Sequence, residues 1–169
     1  MDYGACILKF KNGDFTDFDE FYKQTSRLVY FSALTILRDR GHAEDIMQET
    51  YVSFLSSLQS VQNGANVPAY LCVIARNKSI NKIKKDAKTL YDDEVLTLQK
   101  VDFNEGNGGF EEIISLLDDS EEREIISYHI VLGFKFREIA EILGKPIGTV
   151  LWKYNRALAK LRKKADKIL

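Results

Sequence analysis

Five cations and two amides, Arg76, Asn77, Lys78, Asn81, Lys82, Lys84 and Lys85, fall within ten consecutive residues of this 169-residue chain. Long cationic side chains at helical spacing make no bonds themselves; they neutralise phosphate-like charge, and the amides between them hydrogen-bond what the charges hold in place. A second set of the same character, Lys153, Arg156, Lys160, Arg162 and Lys163, lies towards the end of the sequence. Opposite in sign, Glu44, Asp45, Gln48 and Glu49 recur at positions that share one side of a helix, a face suited to a basic partner surface. Cys6, Cys72, His42 and His129 have neither metal-ligand spacing nor a disulfide framework, and no Ser-His-Asp set, Cys-His set or phosphate-cradling glycine loop is visible. The expectation is a protein with no bond-making chemistry, no metal and no cofactor.

The formal net charge of -1 conceals a polarised chain. Residues 1–69 carry 9 acids and 6 bases, 70–88 carry 6 bases against Asp86, and 89–109 carry 5 acids against Lys100. Residues 145–169 hold 8 bases and only Asp166. Two basic tracts separated by an acidic segment point to a polyanionic partner. Hydrophobic residues at 45% and charged residues at 29% fit a folded globular chain, and only Pro68 and Pro146 interrupt long stretches of Leu, Ile, Ala, Lys and Glu, so an all-α fold is expected. No apolar run reaches the roughly 20 residues that span a bilayer. Met1 to Phe10 lacks the pattern of a secretion signal, so a cytoplasmic protein without membrane insertion is expected.

Helices must position these charges. Asp14 is placed to cap a helix from about Phe15 to Arg40, with Gly41 as its stop, and Ala43, Ile46, Met47, Thr50, Phe54 and Leu58 mark a second amphipathic helix. Ser60 to Val67 has loop composition, and Pro68 suits the first turn of a third helix carrying the first basic tract to about Lys88. Residues 90–109 lose periodicity and end in Gly106, Asn107, Gly108 and Gly109, the composition of a flexible linker. Periodicity resumes at Phe110, and Ser120 to Leu132 opens with Glu121, Glu122 and Glu124, acids that favour a helix start. The expected architecture is two small helical domains, 1–89 and 110–169, on either side of the linker.

Phe136, Ile139, Ala140 and Leu143 mark a short helix, Gly144-Lys145-Pro146 breaks it, and a longer helix follows from about Ile147 with Val150, Tyr154, Ala157, Leu158 and Leu161 as its buried stripe. That is the length and turn chemistry of a helix-turn-helix. The exposed set on its second helix is Thr149, Leu151, Trp152, Lys153, Asn155, Arg156, Lys160, Arg162 and Lys163, the early members facing base edges and the later cations meeting phosphates. A plain helical hairpin with a solvated basic face, and a Trp152 that packs on a neighbouring helix, remain the alternatives on these residues alone.

Three blocks now carry a resemblance: AEDIMQE (Ala43 to Glu49), PAYLCVIARNKSINKIKK (Pro68 to Lys85) and FREIAEILGKPIGTVLWKYNRALAKLRK (Phe136 to Lys163). In order and spacing they resemble the bacterial extracytoplasmic-function sigma factors, two-domain subunits of RNA polymerase that direct it to promoters. The resemblance implies that Glu44, Asp45, Gln48 and Glu49 dock on the beta-prime clamp helices of core RNA polymerase, with a further contact to the beta flap. It also implies that the third helix and its preceding loop read and open the minus-ten element. Arg76, Asn77, Lys78, Asn81, Lys82, Lys84 and Lys85 would hold the strand, and Asn63 and Tyr70 would receive an unstacked base, unless Tyr70 is a core aromatic instead. The last block implies minus-thirty-five recognition in promoter DNA by Thr149, Leu151, Trp152, Lys153, Arg156, Lys160 and Arg162. An anti-sigma factor is a further partner that the family suggests. The chain departs from the family at Tyr70, where Trp is usual, at Asn81 and Lys84, where Asp and Arg are common, and at Leu151-Trp152-Lys153, where Lys-Ser-Arg is common. A helix-turn-helix regulator acting without polymerase is the competing functional reading.

Overall fold

The computed structural model describes residues 1–90 and 114–165, and every regular element among them is helical. The first half holds α1 (Tyr3–Lys11), α2 (Phe18–Leu37), α3 (Arg40–Ser56), a single 3-10 turn (Leu58–Ser60) and α4 (Val67–Leu90). Sequence periodicity did not single out α1, whose Cys6, Ile7 and Phe10 are buried and whose first turn is capped by the Asp2 carboxylate, 3.1 Å from the Ala5 N–H. Two expected helix signals fall elsewhere. Asp14 accepts from the Thr16 N–H and hydroxyl in the turn before α2 rather than capping it, and the helix starts at Phe18. Gly41 lies inside α3; the break comes earlier, at Arg38, which takes a left-handed φ of 56°, followed by Asp39, whose carboxylate caps α3 through the His42 N–H at 2.7 Å.

Aromatic rings fill the core of this bundle. Phe21 stacks on Phe54 with centroids 5.5 Å apart and meets Phe10 edge-on at 5.4 Å, and Tyr51 hydrogen-bonds Thr25 at 2.7 Å. Burying each such ring contributes on the order of 1.5–3 kcal/mol before the cost of ordering it.

The second half holds α5 (Ser120–Ile126), a π-helical turn (Ser127–Val131), α6 (Phe136–Leu143) and α7 (Ile147–Ala165). Asp119 caps α5, accepting from the Glu121 and Glu122 N–H groups at 2.9 and 3.3 Å. Gly144 ends α6 with φ of 62°, the left-handed conformation that a side chain would resist, and α6 and α7 form the expected helix-turn-helix. His129, in the π-helical turn, braces that motif: its ring stacks on Phe136 at 4.2 Å and meets Tyr154 edge-on at 5.2 Å.

The two halves pack closely. Ala69 and Cys72 of α4 belong to one buried cluster with Ile125, Tyr128, Phe134, Ile139, Ile142, Leu143 and Val150. Polar contacts cross the same boundary: Ser32 to Tyr128 at 2.7 Å, Thr35 to Ser127 at 3.0 Å, and the Asn66 amide to Glu138 at 2.7 Å. The acidic stretch expected to be a linker, residues 90–109, lies outside the described residues except for Leu90, the last residue of α4.

Candidate nucleic-acid interface

Glu44, Asp45, Gln48 and Glu49 all stand exposed on α3, opposite the buried Ala43, Ile46, Thr50 and Phe54. The face continues into Val52, which is 66% exposed, and a shallow groove joins Asp45, Gln48, Glu49, Val52 and Ser53 to Lys78 of α4. Glu49 pairs with Lys78 across that groove at 3.3 Å, so the acidic face and the basic helix adjoin.

On α4 the expected basic set divides. Asn77, Asn81, Lys84 and Lys85 are exposed at spacings of four, three and one, which is one continuous stripe of a helix, with Lys82 beside it in an i,i+4 pair with Asp86 at 3.7 Å. Arg76 turns the other way. Its guanidinium donates to the buried Glu124 carboxylate of α5 at 2.6 Å, with side-chain exposures of 16% and 4%, so in this arrangement it is part of the interdomain contact and not of the stripe. Burial pushes the Glu124 carboxyl above its ordinary range against the opposing pull of Arg76. Asn63 is exposed in the loop before α4. Tyr70 is half-buried, its ring 6.4 Å from Phe54 and its hydroxyl 3.2 Å from Ser57, so its body packs on the core while one part remains open.

On α7 the exposed face carries Leu151, Trp152, Asn155, Arg162 and Lys163, with Thr149 half-buried at its edge. Three expected DNA cations have intramolecular partners. Lys153 reaches Glu121 at 2.8 Å and Asp119 at 3.3 Å, Arg156 reaches Asp119 at 2.6 Å and also bonds Glu122, and Lys160 reaches Glu122 at 2.8 Å. Glu122 is fully buried, a site a carboxylate tolerates only with such partners. Among the described residues no group of three or more His, Cys, Asp or Glu side chains is placed to hold a metal ion. No helix among them is long and apolar enough to cross a membrane.

Residues 21–89 match the Sigma-70 region 2 family and residues 119–161 match Sigma-70, region 4. The ECF RNA polymerase sigma factor EcfG of Rhodopseudomonas palustris (strain TIE-1) is 30% identical over 134 residues, covering 76% of this chain and 74% of that protein. The chain belongs to the ECF RNA polymerase sigma factor family. The ECF sigma factor SigW of Bacillus subtilis (strain 168) is 28% identical over 177 residues and 93% of each chain. Two solved structures share this fold. One is the sigma factor RpoE in complex with the anti-sigma factor NepR from Bartonella quintana, with TM-score 0.72, 23% identity and coverage of 87% of this chain and 95% of that one. The other is CnrH in complex with the cytosolic domain of CnrY, with TM-score 0.73, 18% identity and 97% coverage of each.

In this ECF sigma factor the carboxylates of Asp119, Glu121 and Glu122 are the residues that sequence reasoning missed. Glu121 and Glu122 read as a favourable helix start, which they are, but each of the three also holds a cation of α7, 32 to 38 positions later. Burial pushes the Asp119 carboxyl up, yet the Glu122 N–H, Lys153 and the Glu121 N–H outweigh it and hold it below the ordinary range. The Lys153 hydrogen bond, against burial and with Lys145, likewise lowers Glu121. A carboxylate lowered in the folded state stabilises it above its unfolded pKa, and that stability disappears as pH falls through the folded value. The α5–α7 contact should therefore weaken below about pH 4, where free carboxylates protonate. Thermal melts at pH 7 and pH 3 test this: Asp119→Asn should lower the midpoint at pH 7 and change it little at pH 3, and an equal lowering at both would contradict it.

Proposed function

We propose that this chain acts as a transcription initiation factor that docks on core RNA polymerase through the α3 face and directs it to promoters through α4 and α7. Sigma factors are a non-enzymatic family, and this member supplies recognition and strand opening while the polymerase supplies the chemistry. The observation that carries the reading is one chain holding an exposed acidic α3 face, an exposed Asn77–Asn81–Lys84–Lys85 stripe on the adjoining helix and an exposed helix-turn-helix. Residues 1–89 form the unit that binds the clamp helices and opens the minus-ten element, 90–109 the connection, and 110–169 the unit that reads the minus-thirty-five element and meets the beta flap. The matched spans 21–89 and 119–161 support that division.

On α4 the stripe holds the displaced strand, with Asn63 and the open part of Tyr70 at its amino-terminal end to receive an unstacked base. Lys78 and Lys82 exchange Glu49 and Asp86 for phosphate, and Arg76 joins them once its contact with Glu124 is released. The protein works in the cytoplasm. An anti-sigma factor holds it inactive, a reading supported by the similar fold solved in complex with the anti-sigma factor NepR. The direct test is co-purification with core polymerase followed by run-off transcription from a promoter library. Core that initiates no more specifically with the protein than without it would refute the reading.

The ion pairs on α7 sharpen one expectation. Each phosphate neutralised contributes about -0.9 to the slope of log affinity against log salt. The exposed Arg162 should therefore flatten the slope by roughly one unit when replaced by alanine, whereas Lys160, bound to Glu122, should change it little. Equal slopes for the two variants, measured on holoenzyme and promoter DNA, would contradict this division of roles.

A further inference from the structure

We propose that the first turns of α7 read thymine methyl groups in the minus-thirty-five duplex, with Trp152 and Leu151 as the contact surface. The inference deepens the sigma-factor reading and rests on it. Trp152 is 57% exposed, Leu151 38% and Ile147 46%, and all three lie in the first two turns of the helix-turn-helix's second helix. Gly148 shares the face and leaves open space where a Cβ would stand, so the backbone can approach a groove floor closely.

The charged groups of these turns are withdrawn from the face. Lys153 is held by Glu121 and Asp119. Arg156 is held by Asp119 and Glu122 while its guanidinium lies 4.5 Å from the centroid of the Trp152 ring. Arg156 thus braces one face of the indole and fixes its orientation from behind, leaving the rest of the ring open. What faces outward is apolar carbon with Asn155, whose amide is the side chain that pairs with adenine N6 and N7. In the major groove the apolar group is the thymine C5-methyl, and the partner base of thymine is adenine. The occupant is a duplex rather than an apolar protein groove because Arg162 and Lys163 stand exposed farther along the same helix face, where a polyanion backbone would run.

The test uses holoenzyme assembled from the full chain and core polymerase. A duplex library randomised over the upstream element is selected for binding, and the best duplex is then resynthesised with deoxyuridine replacing thymidine at single upstream positions. Uracil keeps every hydrogen-bonding group and loses only the methyl. The expected result is a loss of roughly fourfold per methyl read, the partitioning of one buried carbon. That loss should be absent in Trp152→Ala and reduced in Leu151→Ser, with both variants retaining core binding because the side chains are exposed. An element that is selected but insensitive to every methyl would overturn the inference alone, as would a Trp152→Ala protein that discriminates thymine from uracil as the natural chain does. Undiminished promoter binding by that variant would assign the face to a protein partner instead. Failure to form holoenzyme or to select any upstream sequence would remove the sigma reading and this inference together.

Discussion

Asp45→Arg combined with Gln48→Ala is expected to abolish association with core RNA polymerase. Both side chains are exposed on α3 and opposite its buried stripe, so the fold should be nearly unaffected, as exposed substitutions usually lie within about 0.5 kcal/mol. The binding loss should be far larger. An acid-to-base change turns attraction for a basic surface into repulsion, and Gln48→Ala removes a hydrogen-bonding group beside it. Removing one partner of a charged interfacial contact costs about 2–5 kcal/mol, roughly 30-fold to several thousand-fold in affinity. Titration of labelled protein with core polymerase, alongside far-UV circular dichroism, separates binding from folding. Core affinity within threefold of the natural chain, with normal helicity, would remove α3 from the docking surface.

Tyr128→Ala should produce the largest loss of stability. The ring is 1% exposed, in the cluster that joins α4 to the helix-turn-helix, and its hydroxyl shares a 2.7 Å hydrogen bond with Ser32 of α2. Truncating a buried aromatic side chain to alanine costs about 3–5 kcal/mol through lost burial and the cavity left behind. Tyr128→Phe keeps the ring and deletes only the hydroxyl, so about 1–2 kcal/mol is expected from the lost hydrogen bond and the hydroxyl left behind on Ser32. Urea denaturation measures both values, and small-angle scattering should show that Tyr128→Ala expands the molecule as the halves separate. Equal stability of the alanine variant and the natural chain would show that this contact does not hold the halves together. The neighbouring Glu124 makes the contact sensitive to pH. A carboxyl raised by burial binds its proton more tightly in the packed arrangement, so the packing it favours is fully present below the ordinary carboxyl range and is lost as pH rises through the raised value. This is opposite in sign to the response of Asp119 and Glu121.

The helices that carry the sites were legible because each must bury a stripe, and a buried stripe leaves a period in the sequence. Val150 and Ala157 are buried as that period requires, and Gly144 and Pro146 mark the turn before them. α1 was not read from the sequence: within its nine residues only Cys6, Ile7 and Phe10 are buried, a stripe of three positions. The α2–α3 break was misplaced because Gly41 looked like the natural left-handed residue, whereas Arg38 adopts that conformation and Asp39 supplies the cap. Ion pairing was not legible at all. Arg76 and Glu124 are 48 positions apart, and nothing local distinguishes a cation that will meet a carboxylate from one that will meet a phosphate. The two apolar positions in α7 were visible as departures, but their exposure and the Arg156 brace behind Trp152 required the fold.

The thiol of Cys72 is a clock already present in the chain. It is fully buried between α4 and the second half, and burial suppresses its ionisation, so it is chemically silent while the halves stay packed. An alkylating reagent can reach it only during excursions in which the halves part, and when repacking is faster than labelling the observed rate reports the population of the parted form. With Cys6 replaced by serine, the labelling half-time becomes a direct reading of how often the two halves part. That reading can be taken without DNA, without polymerase, and under any condition a regulating partner might impose.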